Sequence, residues 1–512
     1  MNTYKIGLAI LCSFLLLACT QGSGLSREAR SNIKDSRSAE QWYQQGKERV
    51  ERRKTVLIQN LQATHRAKKP KNIIFVLGDG MGVSTLTAAR IFVGQQQGEL
   101  GEEGALSFEH FPYSALVKTY NVDLQTPDSA GTMSALMTGV KTDEGIISLP
   151  DSVIRSDCDS SIEKNIPTFI DLAKAKGKST AMITTARVTH ATPATTYAHS
   201  VDRNWESDHA IPPTEKNKGC IDIASQFVDN QNHSLDILMG GGRRHFLPKS
   251  EGGKRTDGKN LVTQWQSKGH YVSSLKQLQA LQQAYKKEDL SEDDQKPWLG
   301  LFSSSHMEYA YQRPVEQPSL QQMAAAALQR LETNDQGYAL VIEAGRIDHG
   351  HHDGIAYKAL TETQELHETV AWLLTQVDLQ ETLIIVTADH SHTLTLAGYA
   401  TRGNPILGEV VGNDAKGYPK TKASLSLKGE PYTSLGYRDG PGANDSEHKL
   451  PQTNQDTHSP HSPHYRQAAL VPMDYETHGG EDVALYAIGP QAHLFTGTLE
   501  QHWIFHALNY AL

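Results

Sequence analysis

The chain has 512 residues, with 49 Lys and Arg against 58 Asp and Glu and a formal net charge of −9. That charge argues against general nucleic-acid binding, because phosphate backbones require a basic surface. Hydrophobic residues make up 38% and charged residues 21% of the chain, as in globular rather than disordered proteins. Four cysteines exclude a disulfide-dense scaffold, and the length allows one large α/β domain or several smaller ones. The 23 histidines are many for an acidic chain and prompt a search for metal ligands.

Residues 1–18 are predicted to be a removable export signal. Lys5 supplies its positive charge, and the apolar stretch over residues 6–17 is short for a membrane span. The stretch ends in Ala18-Cys19, which resembles the cleavage site of bacterial lipoproteins and predicts lipidation of Cys19; a plain secretory signal is the alternative. We therefore expect an exported protein in the cell envelope, anchored by lipid on the periplasmic side or at the surface of the outer membrane.

Two unmodified cysteines, Cys158 and Cys220, remain once the signal and Cys12 are removed. In an oxidising compartment such a pair most simply forms one disulfide. Two free buried thiols are the alternative.

The mature chain is predicted to begin with a tether over residues 19–37 and a polar arm over residues 38–66. The arm is rich in Gln, Glu, Arg and Lys with interspersed apolar residues, which predicts an amphipathic helix. This helix is expected to pack on the body of the protein or on a second subunit. The body follows as one catalytic domain over residues 67–512.

Short all-apolar runs recur through the body, and such runs are typical of strands buried on both faces of a parallel sheet. They are residues 73–77, 180–184, 235–239, 338–342 and 383–387. Helical patterns lie between them, including residues 166–175 and 320–331. The alternation predicts an α/β fold with a doubly wound, mostly parallel sheet flanked by helices. Two stretches without this pattern, residues 243–300 and 401–470, are predicted to be insertions on that core.

Polar side chains follow the predicted strands at the edge where open α/β sheets bind ligands. Asp79 lies in the glycine-rich turn after the first strand, and Glu343 ends a later strand. Asp348 and His352 come next, four residues apart, which places both side chains on one face of a helix. This spacing suits two ligands of one metal ion.

Two further clusters contain the same residue types. Asp389 and His390 directly follow the last of the apolar strands, and His478 lies in a polar segment over residues 476–482. Any one cluster could be a solvated loop, but four in one α/β body favour a metal centre. Mixed Asp and His ligands favour zinc, and oxygen-only positions favour magnesium.

Ser129 begins a helical pattern of small residues that extends to Gly139. A serine at the start of a helix is usually an N-cap. The free N–H groups of a helix N-terminus also attract anions, and a serine that faces metal ions can act as a nucleophile.

Five motifs, in this order, resemble those of the alkaline phosphatase family. They are Leu77–Gly82, Pro127–Ala130, Gly345–His352, Thr387–His392 and Thr477–Asp482. The similarity extends from about residue 40 to the C-terminus and is closer to the animal-type branch than to the short enteric one.

The resemblance implies a role for each matching residue. Ser129 matches the nucleophile that becomes phosphorylated, and Arg203 matches the guanidinium that holds two phosphate oxygens. The implied metal ligands are Asp348, His352 and His478 for one zinc, Asp79, Asp389 and His390 for a second zinc, and Asp79, Glu343 and Thr192 for a magnesium. His190, His349 and Asp128 match residues that surround these ligands.

The activity implied by the resemblance is hydrolysis of phosphate monoesters to an alcohol and inorganic phosphate through a phosphoserine. Its cofactors would be two zinc ions and one magnesium ion. The family also implies a homodimer in which residues 401–470 form a crown at the interface. Cys158 and Cys220 match a disulfide of the animal branch, which supports their pairing.

Two features depart from the animal branch. Ser303–Ser305 follow Leu301-Phe302, where that branch carries a calcium-binding Glu, so a calcium-like site is not expected. No hydrophobic tail precedes Leu512, so the anchor is expected at Cys19 instead.

A loop with His458, His461 and His464 matches nothing in the family. Such a loop could capture zinc for the metal centre. The alternative is a solvated loop bounded by prolines.

Two other functions are open on the sequence. A phosphodiesterase or sulfatase of the same superfamily is one alternative. Sulfatases need a Cys/Ser-x-Pro-x-Arg context that residues 128–131 lack, and diesterases usually lack the Arg203 clamp. A non-catalytic metal- or phosphate-binding lipoprotein is the other, and it predicts lost ligands, whereas every matched position is intact.

Overall fold

The structure is a computed structural model of the chain. It describes residues 69–229, 235–285, 295–443 and 459–512. Four isolated positions before this body are also described as helical and exposed: Gln44, Lys47, Glu48 and Glu51. The predicted export signal, Cys19, the tether, the rest of the arm and His458 lie outside the described residues.

Fifteen strands are formed by the described residues. They are β1 Asn72–Gly78, β2 Tyr113–Lys118, β3 Ser179–Arg187, β4 Ile237–Gly241, β5 His270–Val272, β6 Trp298–Leu301, β7 Tyr338–Ala344, β8 Thr382–Thr387, β9 Ser391–His392, β10 Leu394–Leu396, β11 Leu435–Gly440, β12 Ala469–Pro472, β13 His478–Gly479, β14 Val483–Ile488 and β15 Gly497–Glu500.

The α-helices of the same residues number twelve. They are α1 Val83–Gln96, α2 Ser129–Thr138, α3 Phe169–Ala175, α4 Ala191–Ala194, α5 Pro213–Asn217, α6 Ile223–Asp229, α7 Leu261–Gln266, α8 Leu275–Ala284, α9 Leu320–Leu331, α10 Arg346–His352, α11 Ala356–Gln376 and α12 Gln501–Ala511. None of the described helices is both long enough and apolar enough to cross a membrane.

One large sheet of ten strands forms the centre, in the order β15-β2-β14-β8-β1-β7-β3-β4-β6-β5. All of its pairings are parallel except those of β14 with β2 and β8. The side chains of residues 73–77 in β1 are fully buried, as expected for a central strand covered on both faces. The predicted α/β fold with a mostly parallel sheet is confirmed.

The sheet register brings the predicted polar clusters to one edge. Leu77 of β1 pairs with Glu343 of β7 on one side and with Thr387 of β8 on the other. Thr184 of β3 also pairs with Glu343. The chain leaves all four strands at this edge, so the segments that follow them meet there.

Residues 243–300, which the sequence predicts to be an insertion on the core, also add strands to the central sheet. They contribute β5 and β6, which extend the central sheet beyond β4. These strands have only three and four residues, and polar segments separate them, so no long apolar run marks them. Trp298 at the start of β6 is buried and carries the hydrophobic signal.

Two boundaries also differ from the sequence patterns. The strand expected at 235–239 begins at Ile237, and the helix expected at 166–175 begins at Phe169. Thr168 is the N-cap of that helix and accepts a hydrogen bond from the N–H of Asp171. Its own backbone is extended, so the residues before it are not helical.

Candidate active site

Asp79 and Asp389 meet where β1 and β8 end. The N–H of Gly80 donates to Asp389 Oδ1 at 3.1 Å, which joins the two turns directly. Gly80 has φ of +67°, and a Cβ there would lie 2.4 Å from the ring of His392. Glycine is therefore required for both its backbone conformation and its close packing.

The first candidate ligand group lies around α10, which begins directly after β7. Asp348 Oδ1 is 3.2 Å from His352 Nε2 and 3.4 Å from His478 Nε2. The Nδ1 atoms of these histidines donate to backbone carbonyls, His352 to Glu476 and His478 to Pro127. These bonds direct both Nε2 atoms toward Asp348, which is an arrangement that suits one metal ion.

The second candidate group surrounds His390. Its Nε2 lies 3.5 Å from Asp79 Oδ1 and 3.5 Å from Asp389 Oδ2, and its Nδ1 donates to the carbonyl of Ser391. The hydroxyl of Ser129 is 3.1 Å from the same Nε2 atom. Asp79, Asp348 and His390 also offer ligand atoms within 4.8 Å of one another, so the two groups are contiguous.

A third group consists of oxygen atoms only. The carboxylate oxygens of Asp79 and Glu343 and the hydroxyl of Thr192 are buried and make no hydrogen bond of normal geometry with the described residues. Burial raises the pKa of Glu343 to about 8, and burial with neighbouring carboxylates raises the pKa of Asp79 well above its usual value. Buried carboxylates that lie close together are costly unless cations compensate them, so this set fits a divalent metal ion.

Ser129 is the first residue of α2 rather than its cap. Asp128 is the N-cap and accepts hydrogen bonds from the N–H groups of Ala130 and Gly131 at 3.3 and 3.0 Å. The usual N-cap role of a helix-start serine therefore falls to Asp128. The Ser129 hydroxyl is left to face His390.

Arg203 lies beside this helix start. Its Nη1 donates to Asp128 Oδ2 at 2.8 Å, and its backbone N–H donates to the carbonyl of Gly145. Burial opposes the charge of Asp128, but Arg203 and the N–H of Gly131 outweigh it and lower the pKa of that carboxyl. The ion pair is thus maintained next to Ser129.

Comparison with known proteins identifies the family. The alkaline phosphatase family model matches residues 70–512. The chain belongs to the alkaline phosphatase family. It is 40% identical to the tissue-nonspecific alkaline phosphatase of Gallus gallus, over 92% of this chain and 89% of that protein. It is also 40% identical to an alkaline phosphatase of Gadus morhua, over 88% and 93% of the two chains.

Solved alkaline phosphatases share the fold. The enzyme of Thermus thermophilus superposes with a TM-score of 0.59 at 23% identity, over 87% of this chain and 92% of that one. The enzyme of the Antarctic bacterium TAB5 gives a TM-score of 0.58 at 20% identity, over 87% and 98%. With its Asp and His groups, this member of the family is a metal-dependent phosphomonoesterase.

His392 and Glu476 are two residues of this phosphatase to which sequence reasoning assigned no role. His392 Nε2 lies 2.9 Å from Asp348 Oδ1, and its Nδ1 lies 2.6 Å from Glu476 Oε2. Burial lowers the pKa of His392, but both carboxylates outweigh it and raise the pKa to about 10. Their only signal in the sequence was position: His392 ends the motif Thr387–His392, and Glu476 begins the polar segment that contains His478.

Three partly buried histidines, His190, His306 and His349, pack their rings together. The ring of His349 is 5.5 Å from that of His190 and 4.0 Å from that of His306. Burial lowers the pKa of all three, so they are neutral. His190 and His349 were expected here from the family resemblance, whereas His306 was not.

The remaining sequence predictions concern features outside the metal centre. Cys158 and Cys220 form a disulfide with their Cα atoms 5.9 Å apart. The carbonyl of Ser303 accepts hydrogen bonds from the N–H groups of residues 242 and 243. His461 and His464 are not in either ligand group found among the described residues.

Proposed function

We propose that Ser129 is the nucleophile of this phosphatase and that the reaction passes through a phosphoserine. The observation that carries the proposal is the 3.1 Å approach of Ser129 Oγ to His390 Nε2, at a helix start where Asp128 has taken the capping role. Ser129 is 2% exposed, so its hydroxyl is directed at the ligand groups rather than at solvent.

The three candidate groups are proposed to hold two zinc ions and one magnesium ion. Nitrogen and oxygen donors together favour zinc, and oxygen donors alone favour magnesium. The zinc ligands are Asp348, His352 and His478 in one group and Asp79, Asp389 and His390 in the other; the magnesium ligands are Asp79, Glu343 and Thr192. When bound, such ions lower the pKa of hydroxyl groups and water and neutralise charge that develops on oxygen.

Two displacements account for the reaction. Ser129 Oγ bonds to phosphorus as the ester P–O bond breaks, and the alcohol leaves with a proton. Water then attacks the phosphoserine, the Oγ–P bond breaks, and inorganic phosphate leaves as Ser129 regains a proton. Each displacement inverts phosphorus, so the net result is retention.

Arg203 is proposed to bind two phosphate oxygens in both displacements. A guanidinium matches this task because its planar fork donates two parallel hydrogen bonds. The contact with Asp128 supports the proposal, since it directs the guanidinium to the residue that precedes the nucleophile. Charge that spreads over the phosphoryl oxygens would meet a fixed cation.

Hydrolysis of p-nitrophenyl phosphate, with and without a chelator, tests this function. Ser129→Ala should abolish turnover, whereas Ser134→Ala should keep it, because Ser134 lies in the same helix but binds the backbone of residues 146 and 148. Metal analysis should find two zinc ions and one magnesium ion per chain. Full activity of Ser129→Ala would refute the mechanism, and faster cleavage of a bis-ester or a sulfate ester would favour the other superfamily activities.

Export and lipid anchoring at Cys19 are also proposed. Cys19→Ser should move the protein from the membrane fraction to the soluble fraction. Unchanged fractionation would refute the anchor.

A homodimer that uses residues 401–470 is proposed from the family and from exposed apolar side chains there. Leu425, Leu427 and Leu470 are exposed, which is unusual for large apolar residues within one stretch of chain. Light scattering of the released Cys19→Ser protein should give twice the chain mass. A monomer mass at micromolar concentration would contradict the dimer.

A further inference from the structure

Asn121 is a buried residue in the loop between β2 and α2, and no motif of the sequence includes it. Its side chain is nearly inaccessible, and its Nδ2 donates to Asp128 Oδ1 at 2.9 Å. Its own Oδ1 accepts no hydrogen bond of normal geometry from the described residues. The contact with Asp128 is therefore the hydrogen bond that orients the carboxamide.

Close packing confirms that the carboxamide has one position. A Cβ on Gly131 would lie 2.5 Å from the Cγ, Nδ2 and Oδ1 atoms of Asn121. The carboxamide therefore lies flat against the first turn of α2, which is possible only because residue 131 is glycine. The Asn121 backbone N–H donates to the carbonyl of Leu124 at 3.0 Å, which holds the loop that carries it.

The carboxylate of Asp128 has distinct partners on its two oxygens. Oδ1 accepts from Asn121 and from the N–H of Gly131, whereas Oδ2 accepts from Arg203 Nη1 and from the N–H of Gly145 at 3.1 Å. Among the described residues, Asn121 and Arg203 are the two side chains that donate to it. They act on opposite oxygens, and together with the backbone N–H groups of residues 130, 131 and 145 they fix the rotation of the carboxylate.

We propose that Asn121 is a positioning residue for phosphate binding: it orients Asp128, and Asp128 holds Arg203 in the geometry that binds phosphate. This inference rests on the proposed role of Arg203. Without the Nδ2 donor, Oδ1 keeps only the N–H of Gly131 as a donor, so the carboxylate is held less firmly in the rotation that presents Oδ2 to Arg203. Binding of the phosphate group should weaken more than the attack of Ser129, because Asn121 does not contact that hydroxyl.

Two substitutions remove the donor in different ways. Asn121→Leu keeps the branched shape and removes both polar atoms, and Asn121→Asp keeps size and polarity but places an acceptor against Asp128. Thr119→Val is the matched control, since Thr119 is equally buried in the same segment and its hydroxyl makes no hydrogen bond of normal geometry with the described residues. If Asn121→Leu does not fold, Asn121→Asp still tests the proposal.

The measurements are kcat and KM for p-nitrophenyl phosphate and the inhibition constant of inorganic phosphate, on the metal-loaded full-length protein. Both Asn121 variants should raise KM and the inhibition constant about fivefold to tenfold, the order of one typical hydrogen bond, with a smaller change in kcat. Thr119→Val should match the wild type. Equal constants for wild type and both variants would overturn the proposal.

A double-mutant cycle separates positioning from general destabilisation. In an Arg203→Ala background, the Asn121 substitutions should cause no further rise in the inhibition constant of phosphate. The same fold-change in both backgrounds would refute action through Arg203. If Arg203→Ala alone leaves phosphate affinity unchanged, the proposed role of Arg203 fails, whereas an effect of Arg203→Ala without one of Asn121 refutes only this inference.

Discussion

Removal of the disulfide between Cys158 and Cys220 tests how the segment that carries Arg203 is supported. Cys158 belongs to a small buried cluster, separate from the main core, that contains Val201 and Trp205 on either side of Arg203. The disulfide joins this cluster to a chain segment 62 residues away. We therefore expect the double variant Cys158→Ser/Cys220→Ser to lose stability first in this cluster.

The magnitude follows from the length of the closed loop. In the chain-entropy account, a disulfide between residues 62 apart raises the free energy of the unfolded chain by about 4 kcal/mol at 25 °C. Globular proteins have total unfolding free energies of about 5–15 kcal/mol, so the loss would be a large fraction of the stability. Loosening of the cluster should also raise KM for phosphate monoesters, because residues 201–205 hold Arg203 in place.

Urea unfolding followed by tryptophan fluorescence, with KM measured on the folded protein, gives the two readouts. Wild type in reductant should match the double variant, and reductant should have no effect on the double variant itself. Reduced wild-type protein, with Cys158 and Cys220 both shown to be alkylated, should have a lower urea midpoint than the oxidised protein. Equal midpoints would refute the entropic argument. A lower midpoint with unchanged KM would refute support of Arg203 by the cluster.

Three further predictions concern buried acids and one glycine. Burial, with the charge of a neighbouring glutamate, raises the pKa of Glu362 to about 7. The protonated side chain therefore stabilises the folded protein fully below the unfolded pKa of 4.5, and this contribution to the unfolding free energy is lost as pH rises through 7. Glu362→Gln should therefore gain about 3 kcal/mol of unfolding free energy relative to wild type between pH 4 and pH 8.5, and a constant difference would contradict this. Burial raises the pKa of Asp389 to about 6 and that of Glu343 to about 8. Chelator-treated protein should therefore lose thermal stability as pH rises from 4.5 to 8, unlike metal-loaded protein, and parallel profiles would be the contrary result. Gly80→Ala should lower both zinc content and activity because its Cβ would meet His392, and normal zinc content by metal analysis would count against the reasoning.

Much of the fold could be predicted because the central strands are apolar along their whole length. Residues 73–77 and 383–387 are buried on both faces, so local composition alone reports their position. β5 and β6 could not be predicted in this way, since each has at most four residues and gains its hydrogen bonds from a neighbour distant in the chain. The sequence pattern therefore predicts an insertion at 243–300 without these two strands.

Some residues of the candidate site could likewise be predicted from the sequence, and others could not. Asp348 and His352 share a helix face by spacing alone, and Asp389 and His390 directly follow an apolar strand, so residue patterns located them. Arg203 was found only through the family resemblance, because its segment has no periodic pattern. His306 and Asn121 have no local signal of function, since their roles come from contacts across the fold.

The sequence by itself determined the α/β class, the family and the identity of most candidate ligands, because buried strands and metal-binding motifs are local patterns of residue type. Only the tertiary structure decided which atoms meet. Parallel pairing of β1 with β7 and β8 in a specific register brings chain segments that are about 260 to 310 residues apart to one edge of the sheet. The same packing decided that Asp128, and not Ser129, caps α2, because the Asp128 carboxylate accepts the N–H groups of the first turn and the guanidinium of Arg203 at the same time.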